Sequence, residues 1–482
     1  MKFYCKNIIM FRSYYLKNYY IRMRCEIQIL FYENIYTSLF LEACMQTCVE
    51  LTLVNDGIVL VVGGGIAGMQ ASLDLADRGL KVYLVEKSPS IGGRMAQLDK
   101  TFPTMDCSIC ILAPKMIECF RHPNIELLTC SEVRSVTGSA GNFKAEILKN
   151  PRFVDIDKCT GCGVCTEKCP VKVSNEFDMG MGTRKAIYVQ FPQAVPRTAT
   201  IDKDHCLFFQ KGVCRICEKF CQANAINFDQ KPKEIILSVS SIILATGLEL
   251  YDPTSISEYG YKRYKNVLLS LEFERLINAS GPTRGELLRP TDKKHPHRIV
   301  FIQCVGSRTS QKGLPYCSTV CCMYATKEAI LVREHDPECE VYILYMDLRV
   351  FGKRFQEFVT RAKDKWAVKY VNGRASTVIE DSVTKDLLVR YEDIMKRKME
   401  ELRADLVVLC PALIPRKDNE LLAKNLNLEL NEFGFFKTKD IPIKTNVEGI
   451  FVCGYCQAPK DISESVTQAS AAAAMATEVA VS

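Results

Sequence analysis

The chain has 482 residues, 48% of them hydrophobic and 25% charged, with 24 cysteines and a single tryptophan. That length and composition suit two or three packed cores, and they exclude a disordered, collagenous or small disulfide-stapled protein. The net charge of +7, from 63 basic and 56 acidic residues, is modest for this length and gives no case for nucleic acid.

No signal-peptide pattern opens the sequence, and no uninterrupted run of about 18 apolar residues would span a bilayer. Grouped cysteines in such a chain point to metal or redox chemistry in a reducing, cytoplasmic compartment. The first 44 residues are rich in Phe and Tyr and carry no chemical motif. They read as an added N-terminal arm or an early start codon, with Met45 an alternative start, so residues 1–52 are left unassigned.

From position 58 the pattern becomes strand, glycine turn, helix, strand: an apolar run at 58–62, then Gly63-Gly64-Gly65-Ile66-Ala67-Gly68, a helical stretch ending near Gly79, and a second run at 81–86. In Gly63-x-Gly65-x-x-Gly68 the glycines make a tight turn, admit a pyrophosphate to the backbone and seat the helix on the strand. The helix N-terminus then offers N–H groups to the phosphates. Glu86, 18 residues after Gly68, has the place of the acid that binds a ribose 2′-hydroxyl.

Alternating stretches at 132–136, 143–148 and 234–239 predict an antiparallel meander, followed by a strand at 241–244. Residues 151–232 interrupt it with eight cysteines and few long apolar runs. Cys159-x2-Cys162-x2-Cys165-x3-Cys169-Pro170 has the spacing at which thiolates wrap a [4Fe-4S] cluster, the fourth cysteine serving the other cluster of a two-cluster ferredoxin. Cys206-x7-Cys214-x2-Cys217-x3-Cys221 supplies the partner motif. The expected crossing is Cys159, Cys162, Cys165 and Cys221 on one cluster, with Cys206, Cys214, Cys217 and Cys169 on the other. Structural zinc is the alternative.

A second strand–helix–strand pattern follows at 298–303, 320–334 and 341–345, closed by a strand at 406–409. Its turn holds no GxGxxG. Cys304, Cys317, Cys321 and Cys322 stand there instead, and a third [4Fe-4S] cluster is expected on them, against a redox-active disulfide or simple burial of small thiols. Cys107-x2-Cys110 is open between a dithiol, a pair of cluster ligands and buried structural thiols. Cys119, Cys130, Cys339 and Cys410 default to core packing. The chain closes with a strand at 449–453 and an alanine-rich helix at 463–481.

Gly92-Gly93-Arg94, Ala245-Thr246-Gly247 and the stretch ending in Cys453-Gly454-Tyr455 together resemble the two-dinucleotide-domain flavoproteins related to thioredoxin reductase, which bind FAD. In that family the last motif ends in Gly-Asp; here Tyr455 has the acid's place. The implied FAD contacts are Gly63, Gly65, Gly68, Glu86, Gly93, Arg94, Gly247 and Gly454. From about residue 57 onward the chain more closely resembles the family of heterodisulfide reductase A subunits, the FAD-containing iron–sulfur subunits of that enzyme. The residues that carry this are 61–68, Met105-Asp106-Cys107 to Lys115, Phe191-Pro192-Gln193-Ala194-Val195-Pro196, 303–308, 316–329, 344–355 and 453–474.

The resemblance implies an α/β fold of two Rossmann-like dinucleotide-binding domains with an inserted α+β ferredoxin-like domain. The expected limits are 53–150, 233–297 and 416–482 for the FAD-binding domain, 151–232 for the insertion and 298–415 for the second Rossmann-like domain. It also implies an oligomeric complex in which electrons pass from a donor hydrogenase or dehydrogenase to disulfide-reducing sister subunits. In the family's bifurcating members a lysine lies by the flavin at the position of Lys327, where a cation would stabilise negative charge; a helix-surface lysine is the bland alternative. Long members carry an N-terminal cluster domain and a C-terminal ferredoxin domain that this sequence does not show, which puts full bifurcation in doubt. The alternative of another class is a non-catalytic protein for electron relay or assembly. Lower still ranks a self-contained NAD(P)H-dependent reductase, because the second glycine loop is missing.

Overall fold

A computed structural model describes residues 57–481; the expectations for residues 1–52 lie outside the described residues. Five parallel strands form the first sheet, in the order Ile450–Val452, Ser241–Leu244, Ile58–Val62, Lys81–Val85 and Ile125–Leu128. Both faces are covered, which is why Ile58–Val62 is a continuous apolar run and every residue of Ser241–Leu244 is buried, with no alternation. On one face the helix Ile66–Ala76 packs against the C-terminal helix Ile462–Val481, whose Ala469, Ala472, Ala473 and Ala476 are fully buried. Small side chains there let the two backbones come close. The other face carries the meander Ser131–Ser139, Asn142–Lys149 and Lys233–Val239. Its Phe143, Ala145 and Ile147 point into the core while Lys144 and Glu146 face solvent, the period-2 pattern of a one-sided sheet.

The second sheet has seven strands. Val267–Leu269, Leu406–Pro411, Arg298–Val305, Glu340–Tyr345 and Lys369–Glu380 run parallel, and Leu387–Asp393 and Lys398–Ala404 extend it as antiparallel strands. The helices Ser270–Ile277, Cys321–His335 and Phe355–Asp364 share one core on it. This moves a boundary. The sequence pattern places residues 267–277 in the flavin unit, with its limit at 297, but they form the edge strand and first helix of the second unit. A three-residue strand is too short for periodicity to reveal which sheet it joins. Leu248–Leu250 pairs with Leu413–Pro415 where the chain crosses between the units.

The insertion is small, with three short helices, of which Val164–Lys168 and Ile216–Lys219 pack together while Leu207–Lys211 lies between them in sequence, beside two-stranded pairs. Part of it leaves its own core: Phe191, Ala194 and Val195 are buried in the core of the first unit, and Phe177 stacks on Phe191 at 4.8 Å. Among the described residues no helix is long and apolar enough to cross a membrane.

Candidate flavin and iron–sulfur site

The glycine turn is built by contact on one side and open space on the other. A Cβ on Gly68 would lie 1.8 Å from the Gly63 carbonyl oxygen, so the helix seats directly on the turn. A Cβ on Gly65 would meet nothing within 4 Å; this is the open side that a phosphate needs. Gly65 is also the N-cap of an 11-residue helix and offers no side chain to its free N–H groups. Glu86 accepts hydrogen bonds from Gly64 N (2.7 Å) and from Ser88 N and Oγ (2.7 Å each), which fixes it beside the turn.

The other glycine motifs converge here. Gly63 abuts the Ala245 carbonyl next to Gly247, Gly93 backs onto Gly65, and Gly454 lies against Ala67. Arg94 is held by Gln97 Oε1 at 2.9 Å, and burial, with Arg416 nearby, pushes its guanidinium below its ordinary range. Tyr455 is buried, donates to the Leu413 carbonyl at 3.3 Å and packs with Val320, Leu413 and Phe435. It therefore acts as a wedge toward the cysteine loop. Asn419 accepts from Thr246 Oγ1 at 2.8 Å, and its Nδ2 is buried with no partner among the described residues. An orphaned donor beside this turn fits an acceptor-rich ligand.

In the insertion, a small cavity is lined by Cys169, Cys206, Cys214 and Cys217 together with Pro170 and Ile187. These are the four thiols that the ferredoxin crossing assigns to one cluster. Burial pushes Cys217 up to about 12, with Cys206 as its next influence. Cys159 and Cys162 act in the same way on the buried Cys165, and Cys221 packs in the same small core. Among the described residues no three His, Cys, Asp or Glu side chains close around a point as a single ion requires.

Cys304, Cys317, Cys321 and Cys322 are also gathered: Cys304 feels Cys322 and Cys317, and Cys321 feels all three. Burial pushes Cys304 up to about 11. Cys304 has a left-handed backbone (φ 57°) at the end of its strand, and Cys321 and Cys322 open a 15-residue helix.

Three family descriptions match: FAD dependent oxidoreductase at residues 59–106, 4Fe-4S binding domain at 152–173 and pyridine nucleotide-disulphide oxidoreductase at 315–476. The iron-sulfur A subunit of CoB–CoM heterodisulfide reductase from Methanocaldococcus jannaschii is 55% identical over 436 residues, which is 90% of this chain and 65% of that protein. Across 90% of its length this chain is similar to an A subunit of heterodisulfide reductase. A second relative, the A subunit of the H(2):CoB-CoM heterodisulfide,ferredoxin reductase of Methanothermobacter marburgensis, is 51% identical over 87% of this chain and 63% of its own length. The chain thus spans a little under two thirds of the curated family members it matches. For the fold, thioredoxin reductase of T. acidophilum superposes with a TM-score of 0.50 at 15% identity, over 88% of this chain and 98% of that one. The fold is a thioredoxin-reductase-like pair of Rossmann domains with a 4Fe-4S domain.

The second unit presents Lys327 to the first. Lys327 is 1% exposed and ion-paired with Glu274 Oε1, so it is not a helix-surface lysine. The other oxygen of Glu274 accepts from Asp99 N at 2.9 Å, and Asp99 follows the Gly93-Arg94 turn by five residues. Burial pushes Lys327 down to about 8, opposed by Glu328 and Asp99, and pushes Glu328 up to about 8. Sequence reasoning misses Glu274, Glu328, Asn419 and Arg416. The one signal available is the charge inside Ser270–Ile277, every residue of which is buried. Cys107 and Cys110 form a disulfide at the start of the helix Ser108–Arg121, and Cys110 is exposed, so the buried-thiol alternative does not describe that pair.

Proposed function

We propose that this chain is an FAD- and iron–sulfur-dependent electron-transfer subunit of a heterodisulfide reductase-type complex, with cytoplasmic sister subunits that include an electron donor and disulfide-reducing partners. The observation that carries this is the cavity lined by Cys169, Cys206, Cys214 and Cys217, in a domain inserted into a unit that carries a dinucleotide turn. Bound FAD supplies a two-electron centre beside the one-electron centres of [4Fe-4S] clusters. Gly65 and the N-terminus of Ile66–Ala76 receive the diphosphate, and Glu86, Gly93, Arg94, Gly247 and Gly454 line the same site. Lys327 holds positive charge in a water-poor setting, where it counts for more than at the surface. Glu274 orients that charge, and Tyr455 keeps water from the space between the glycine motifs and the cysteine loop. Cys304, Cys317, Cys321 and Cys322 hold a third cluster in this reading.

FAD binding is assigned to residues 53–150 and 416–482 with the strands between 233 and 250, and the ferredoxin domain to 151–232. Flavin-based bifurcation is the finer form of the proposal; Lys327, buried and paired, supports it. The test is anaerobic reconstitution with FAD, iron and sulfide, followed by light-driven reduction and spin-resonance detection of reduced clusters. Cluster signals that grow at the flavin's expense are expected. A protein that takes up zinc and no iron, or whose reduced flavin never passes electrons on, overturns the reading.

A further inference from the structure

We infer that Arg275 is a positioning residue that fixes the iron–sulfur insertion and the second unit against the flavin-side turn. The inference rests on the proposed function for its purpose, and on the following geometry for its substance. Arg275 is 1% exposed, and each of its contacts crosses to a different part of the chain or closes its own loop. Nε donates to Asp178 Oδ1 of the insertion at 3.0 Å. Nη1 donates to the Gln97 carbonyl of the flavin-side turn at 3.2 Å, and Nη2 to Ser280 Oγ at 3.2 Å. The guanidinium also lies over the ring of Phe177, 4.9 Å from its centroid.

A buried guanidinium is tolerated only when its fork of N–H groups is met by acceptors, and a buried carboxylate only when both oxygens are met. Asp178 satisfies the second condition, since Oδ2 accepts from Asn175 Nδ2 at 2.6 Å. The network then continues toward the glycine motifs: Gln97 Nε2 donates to the Phe177 carbonyl at 2.8 Å, and Arg94 donates to Gln97 Oε1. One chain of contacts therefore runs from Arg94 through Gln97 to Arg275 and Asp178. The fit is tight around Arg275 itself, because a Cβ on Gly281 would fall 1.8 Å from the Arg275 carbonyl oxygen. A lysine cannot reproduce this arrangement, because a point charge has no planar fork to meet the carboxylate, the carbonyl and the hydroxyl together.

The consequence concerns distance. An electron that leaves the flavin site oxidises it by one unit and reduces a cluster in the insertion by one. That transfer slows steeply with separation, so Arg275, by holding the separation through Gln97 and Asp178, affects the rate without itself touching either group.

The decisive variant is the double change Arg275→Met with Asp178→Leu, which removes both charges at once and leaves neither stranded. Arg275→Lys is its conservative companion. Amide hydrogen exchange on the full chain, without cofactors, is read first. Residues 175–182 are expected to exchange about tenfold faster in the double variant, with the strand Ile58–Val62 unchanged. On reconstituted protein of equal FAD and iron content, electron passage from light-reduced flavin to the clusters is expected to slow about fivefold or more, and Arg275→Lys to fall between. Exchange at 175–182 equal to wild type overturns the inference, as does an unchanged rate in a variant that exchanges faster. A wild-type protein that passes no electrons refutes the proposed function alone; the exchange measurement then decides the positioning role by itself.

Discussion

The two dinucleotide-type units place opposite chemistry at the same point of the same scaffold. In each, a strand buried on both faces leads through a loop to a helix with no side-chain cap: Ile58–Val62 into Ile66–Ala76, and Arg298–Val305 into Cys321–His335. The first loop is three glycines long and leaves the helix N-terminus open on the Gly65 side. The second runs from Gly306 to Val320, and its helix begins with Cys321 and Cys322, with Cys304 close by. A helix N-terminus stabilises a phosphate or a thiolate for the same electrostatic reason. What separates the two outcomes is whether the loop keeps the backbone bare or fills the space with sulfur.

The largest effect is expected where the bare loop is packed most tightly. Gly68→Val would drive a side chain into the Gly63 carbonyl and is expected to cost more than about 4 kcal/mol and abolish FAD retention. The matched change in the other loop, Gly306→Ala, meets the ring of Tyr251 at 2.4 Å in a left-handed backbone and is expected to cost about 1–3 kcal/mol. Heat unfolding and the flavin-to-protein ratio measure both; equal losses would erase the distinction between the loops.

Next in size is Lys327→Met. It strands Glu274 in the interior and is expected to cost about 3–5 kcal/mol, most of which the added change Glu274→Leu restores. Chemical unfolding of single and double variants gives the coupling, and simple additivity would mean that the two residues do not act as a buried pair. Cys321→Ser then asks whether the sulfur-filled loop binds metal. The expected result is a loss of about four iron atoms per chain with FAD unchanged, as for Cys217→Ser in the insertion. Unaltered iron in Cys321→Ser would make the second loop a packed thiol cluster.

These residues also mark how far the sequence is legible. The glycine turn can be read because its requirement is steric and local, and the ferredoxin thiols because ligand spacing along the chain is itself the constraint. The meander shows its period-2 alternation. Glu274 and Arg275 cannot be read. Charged residues on a short helix suggest a solvated face, yet this helix is wedged between three parts of the chain, and its partners Lys327, Asp178 and Asp99 lie far away in sequence. The edge strand Val267–Leu269 falls to the wrong unit in the sequence pattern for a related reason: which sheet accepts three apolar residues is a tertiary decision.

The smallest expected effect is a pH dependence confined to the second unit. Glu328 is fully buried, and burial raises it to about 8 while Lys327 opposes the rise. The groups that face it are Lys327 and Tyr324 on its own helix and Cys410 on the strand Leu406–Pro411. Its Oε2 has no hydrogen-bond partner among the described residues. A carboxyl whose folded pKa lies above its unfolded value binds more protons in the folded state. Its contribution to stability is therefore complete below about pH 4 and is lost as pH rises toward 8. Lys327, lowered to about 8, acts in the opposite sense only above that pH, where the unfolded chain holds the extra proton. Glu328→Gln keeps the shape and removes the titration, so the midpoint of heat unfolding between pH 5 and 8 should flatten relative to wild type. No matching slope is expected from the first unit's glycine loop, where Gly63, Gly65 and Gly68 bring no titrating side chain. A variant with the wild-type slope would place the ionisable load elsewhere and leave the second loop as electrically quiet as the first.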